Sequence, residues 1–74
     1  MEIEVHLFAT LRAGRFRSKR VELPAGSTIG DVCRQLAIGD AEVAIVMVNG
    51  SAALRDHTLE TGDEVSLFPA LGGG

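Results

Sequence analysis

One stretch of this chain spaces its apolar residues as an α-helix does: Ile29, Val32, Cys33 and Leu36 fall at i, i+3, i+4 and i+7. Ser27 or Thr28 is a natural N-cap, Asp31 follows Thr28 at capping-box spacing, and Gly39 is placed to end the helix at C′. Gly30 weakens the first turn by about 1 kcal/mol relative to Ala without removing it. A lone helix can cover one face of a sheet and no more, so the other apolar segments must share a single sheet beneath it.

Those segments read as strands. Ile3, Val5 and Leu7 alternate with Glu2, Glu4 and His6 over residues 2–9, and Lys19 to Leu23 alternates again before Pro24-Ala25-Gly26, giving a hairpin. Val43 to Val48 is a continuous apolar run that reads as a central strand and ends at Asn49-Gly50, a pair suited to a tight turn with positive φ. A short piece, 52–54, pairs back across that turn, and Glu64 to Phe68 is the last strand. Residues 50–63 are too broken by glycine and polar residues for the second helix of a ferredoxin-like fold. The predicted class is therefore α+β, a ubiquitin-like β-grasp: a mixed sheet of four to five strands packed on one helix, one domain over 1–74 with a flexible tail at 70–74.

A chain of 74 residues buries only about 60% of its unfolded surface, which leaves little for a shaped cleft of roughly 300 Å³ or more. That favours a carrier, tag or binding module over an enzyme. The single cysteine, Cys33, can form no internal disulfide and sits on the helix's buried stripe as a small hydrophobe. The acidic start and the shortness of the 43–48 run argue against export or membrane insertion, and the expected location is cytoplasmic. His6 and His57 lack partners at metal-ligand spacing and read as surface histidines, so no metal site is expected.

Five of the seven cations, Arg12, Arg15, Arg17, Lys19 and Arg20, fall in residues 12–20 without an acid, although the chain as a whole has a charge of −3. With Phe16 alone for stacking, the cluster reads as a solvated hairpin tip or a dock for an acidic protein, rather than a nucleic-acid patch.

Two features exceed the needs of a core. Phe8 and Phe68 fall on the outward parity of the first and last strands, which neighbour each other in a β-grasp sheet, and so make an apolar patch fit for a partner. The chain then closes on Gly72-Gly73-Gly74. Lacking Cβ atoms, such a run threads a narrow channel, and the six residues from Pro69 reach at most about 20 Å. Its α-carboxylate is ionised at neutral pH and can attack the α-phosphate of a nucleotide, but the clamps for that chemistry must come from another protein.

The segments LFATLR at 7–12, VNG at 48–50, DHTLETGDEVSLFP at 56–69 and Gly73-Gly74 resemble the MoaD/ThiS family of ubiquitin-like sulfur carriers, and most closely its molybdopterin synthase small subunits. The resemblance implies that an adenylating enzyme, using ATP and magnesium, activates the Gly74 carboxylate, which becomes a thiocarboxylate. Inside the molybdopterin synthase large subunit, which supplies the catalytic side chains, the sulfur passes to a pterin precursor. It also implies that Gly73 and Gly74 are the reacting end and that Phe8, Phe68, Pro69, Leu71 and Gly72 meet partners. No cofactor is expected to stay bound.

The chain departs from the molybdopterin pattern in having Ala70 after Phe68-Pro69 and three terminal glycines, as thiamine sulfur carriers do. A thiamine-type carrier is therefore one alternative. A protein modifier joined through Gly74 to lysine, or an interaction module with an inert tail, are others.

Overall fold

The computed structural model describes residues 1–70. Strand β1 (Glu2–Leu7) is followed by a 3₁₀ turn (Ala9–Arg12), β2 (Ser18–Glu22) and helix α1 (Ile29–Gln35). After a second 3₁₀ turn (Asp40–Glu42) come β3 (Val43–Val48), β4 (Ser51–Ala52) and β5 (Glu64–Pro69). The five strands form one mixed sheet in the order β2-β1-β5-β3-β4, with β1 and β5 parallel at its centre and the other pairs antiparallel. The β-grasp class and the single covering helix are as the sequence pattern predicts.

The core is the inward parity of the strands closed by the helix. Ile3, Val5 and Leu7 from β1, Val65 and Leu67 from β5, and Ile29, Val32 and Cys33 from α1 are all at most 1% exposed. Burial pushes the Cys33 thiol pKa up, so the group is an inert filler.

Helix α1 spans seven residues, too few to be stable alone, so its ends are tied to the rest of the fold. Thr28 is the N-cap of a complete capping box: its Oγ1 accepts from the Asp31 N–H, and Asp31 Oδ2 accepts from the Thr28 N–H at 2.8 Å. The next donors, Ile29 and Gly30 N–H, reach the carbonyls of His57 and Arg55 in the loop before β5. The Thr28 backbone N–H, helped by its hydroxyl and by Arg34, holds the Asp31 carboxyl below its ordinary value.

The C-terminus corrects the sequence reading. The helix ends at Gln35 with Leu36 as C-cap, and Ala37, at φ 56°, occupies the left-handed position assigned to Gly39, whose φ is −71°. Ile38 N–H bonds to Cys33 O at 2.8 Å and Ala37 N–H to Arg34 O, the two bonds of a Schellman ending. Ile38 must enter the core, where it is 4% exposed, and that fixes the reversal one residue after Leu36 whatever side chain stands there.

Two smaller corrections follow. Strand β1 stops at Leu7, because Ala9 turns at φ 50°. Strand β4 is Ser51–Ala52 rather than 52–54, and Leu54 is 75% exposed. Strand β3 lies between β5 and β4, as its reading as a central strand expects; Ile45 alternates with the inward Val46 and Val48 and is 52% exposed, and the register shift between Val43 and Ile45 returns Val43 to the core. The Asn49-Gly50 turn has φ of 52° and 84°, as the pair requires.

Replacing Ala37 by Gly should stabilise the protein by about 0.5–1 kcal/mol, since Gly adopts the left-handed position without the Cβ penalty, and urea denaturation reads it directly. Because the folded-state pKa of Asp31 is depressed, its contribution is present above the ordinary value of 3.8 and is lost as pH falls through the lower folded value. Asp31→Asn should therefore lose less stability than the parent in urea titrations carried out below pH ~4.

Candidate functional site

The parallel pairing of β1 and β5 brings the outward-facing residues of two chain ends into one row. Their register sets Glu4 beside Glu64, His6 beside Ser66 and Leu7 beside Leu67. Phe8 continues β1 in an extended conformation, with its N–H on Leu67 O at 3.2 Å. Its ring then stacks on that of Phe68, with centroids 4.4 Å apart and planes 15° from parallel. Both rings are half-buried, since each covers one face of the other. Such a pair contributes about 0.5–1.5 kcal/mol beyond its burial.

Arg12 completes the stack from the other side of the sequence. Its guanidinium carbon lies 5.6 Å from the Phe8 centroid, and its Nε donates to Leu7 O at 2.7 Å, which holds the cation in place. On β3, Ile45 is the register partner of Phe68. Phe8, Phe68 and Ile45 thus make a flat apolar strip across three strands with a cation beside it. Ile45 was missed because a continuous apolar run gives no parity signal; it falls in step with Met47, opposite to the inward Val46 and Val48.

Pro69 does not belong to that surface. It is buried at the end of β5 opposite Val43, so it anchors the root of the tail instead of offering a side chain to a partner. Ala70 is exposed. The expectations placed on Leu71, Gly72, Gly73 and Gly74, and on a flexible tail beyond Ala70, lie outside the described residues.

The arginine-rich segment divides in two. Arg12 and Arg15 are spent on the protein itself: Arg15 donates to Leu11 O and lies 3.3 Å from Glu42. Phe16 packs against the core with Lys19 over its ring at 5.7 Å. Arg17, Lys19 and Arg20 are exposed along β2 and its approach, as a solvated hairpin would have them.

A surface concavity of about 350 Å³ between β4 and the 53–63 loop includes Asn49, Ala52, His57 and Asp63 in its lining. Its polar groups serve the fold, since Asn49 Nδ2 donates to Asp63 Oδ1 at 2.9 Å and Asn49 Oδ1 accepts from Glu64 N–H. Its lining also includes Ser51, Thr58 and Glu60, and among the described residues no hydrogen bond links either hydroxyl to His57. The described residues that can hold a metal are Glu4, His6 and Glu64, which the sequence separates and the sheet assembles.

Comparison with known proteins agrees with this fold. The family model of the ThiS family matches residues 5–74. The crystal structure of SAMP1 from Haloferax volcanii is similar at 31% identity over 100% of both chains, with a TM-score of 0.76. A putative molybdopterin converting factor subunit 1 from Pyrococcus furiosus is 28% identical, covering 96% of this chain and 99% of its own, at a TM-score of 0.79. A chain from the complex of subunits 1 and 2 of the molybdopterin-converting factor from Helicobacter pylori, at 19% identity, 100% coverage of each chain and a TM-score of 0.69, agrees in fold.

A double-mutant cycle on Phe8→Ala and Phe68→Ala, read by urea denaturation, should return a coupling of about 0.5–1.5 kcal/mol. Each single change should cost less than the about 3–5 kcal/mol of a core Phe→Ala substitution, because one face of the pair is open.

Proposed function

Because this chain belongs to the ThiS family, whose fold is that of ubiquitin-like sulfur carriers and modifiers, we propose that it is a sulfur carrier acting through the Gly74 carboxylate. The single observation that carries this reading is the family match, which runs through the glycine end at residues 72–74. The likeness to the Pyrococcus molybdopterin converting factor subunit supports the small subunit of molybdopterin synthase as its place. On this reading it works in the cytoplasm.

The chemistry divides between this chain and its partners. A carboxylate is a poor acyl donor. An adenylating enzyme holding ATP and magnesium lets a Gly74 oxygen attack the α-phosphorus and displace pyrophosphate, and a donor at the hydrosulfide level then displaces AMP to leave a thiocarboxylate. This chain contributes a reactive end without side chains at Gly72, Gly73 and Gly74, with Leu71 just before it. Phe8, Phe68 and Ile45 form an apolar platform on which the activating enzyme and the large subunit dock in turn. Pro69 fixes where the tail leaves the sheet, beside that platform. The side chains that catalyse sulfur transfer to the pterin precursor belong to the large subunit.

The likeness to SAMP1, a small archaeal modifier protein, favours a second reading, in which activated Gly74 is joined to lysines of target proteins. Both readings share the activation step and part at the acceptor.

Intact-mass spectrometry after incubation with ATP, magnesium, the host's adenylating enzyme and a sulfur donor should show one oxygen replaced by sulfur in the C-terminal peptide. Deleting Gly74 should abolish the change and leave the unfolding curve as it was. High-mass conjugates in cells that disappear on the same deletion would favour the modifier reading, and no sulfur replacement alongside an active control carrier would overturn the carrier reading.

A further inference from the structure

We propose that Glu4, His6 and Glu64 form a binding site for a divalent transition-metal ion of the zinc type on the outward face of β1 and β5. Glu4 and Glu64 are direct register partners, and His6 lies one outward position further along β1. His6 Nε2 is 2.8 Å from Glu4 Oε1 and 3.9 Å from Glu64 Oε2. The nitrogen is within ion-pair distance of the nearer carboxylate but not aligned for a hydrogen bond, so it is a buried ring atom with no hydrogen-bond partner. The ring as a whole is partly open, with 28% of its side chain exposed, and the ligand-bearing atoms of the three residues lie within 4.8 Å of one another.

Two arguments point to a cation here. Like charges directly opposite on adjacent strands destabilise a sheet, and among the described residues no lysine or arginine lies within ion-pair range of Glu4 or Glu64. Arg20, the register partner of Glu4, instead has its guanidinium 3.8 Å from Glu2. The second argument is metric: metal bonds of 2.0–2.2 Å in tetrahedral geometry set ligand atoms about 3.3–3.6 Å apart. The present separations of 2.8 and 3.9 Å bracket that value, so small side-chain rotations suffice.

An imidazole with two carboxylates suits zinc or a neighbouring first-row ion better than calcium or magnesium, and three protein ligands leave a position for water. The site adjoins the aromatic strip, since Phe8 is the next outward residue after His6. A bound ion would neutralise the two carboxylates bordering that strip. This inference does not depend on the sulfur-carrier reading.

Titration calorimetry of the full chain with zinc chloride tests it. One ion should bind per chain, and His6→Gln and Glu64→Gln should each weaken binding by at least about tenfold, a loss expected when a ligand is removed from so small a set. His57→Gln should leave the isotherm unchanged. Zinc should also raise the melting temperature of the parent but not of Glu64→Gln, an exposed change that serves if His6→Gln folds poorly. No saturable binding at roughly 1 mM zinc, or binding abolished by His57→Gln and unaffected by His6→Gln, would overturn the proposal.

Discussion

The parallel ladder between β1 and β5 organises this molecule. Parallel strands cannot be joined by a tight turn, so the chain between them must travel away and return, and among the described residues that excursion contains every other element. Its return places the end of the described chain beside Phe8, six residues after the start of β1. The stacked rings, the row of carboxylates with its histidine and the departure point of the tail are consequences of this one pairing.

The single helix settles which face does what. With Ile29, Val32 and Cys33 committed inward, only one face of the sheet is covered, and the outward parity is left to residues free of core duty. That face is graded along the strands, from Glu4 and Glu64 through His6 and Ser66 to Phe8 and Phe68. A polar end and an apolar end on one surface give a docking protein both a direction and a contact. The capping box, the Schellman ending and the loop carbonyls on Ile29 and Gly30 hold a helix of seven residues firmly enough to cover the inward face.

Much of this was legible in the sequence wherever a period or a local motif carried it. Alternation in 2–7 and 64–68 revealed the strands and the outward aromatics, and Thr28 with Asp31 revealed the start of the helix. The misreadings arose where tertiary demand overrode local chemistry. Ala37 took the left-handed position because Ile38 had to reach the core, and Ile45 faces outward in a continuous apolar run whose parity the sequence does not mark. His6 looked solitary because its second carboxylate, Glu64, is distant in sequence and arrives only through the parallel pairing.

The strand order has one more effect. Open sheet edges offer unpaired backbone to other copies of a protein, and here the edges are β2 and β4. Strand β4 is two residues long, too short to template a neighbour, and β2 carries Lys19, Arg20 and Glu22 in exposed positions along its length. Both guard against open-ended β-aggregation. With both edges guarded against strand addition, the outward face that carries the stacked Phe8 and Phe68 is left as the surface for contact.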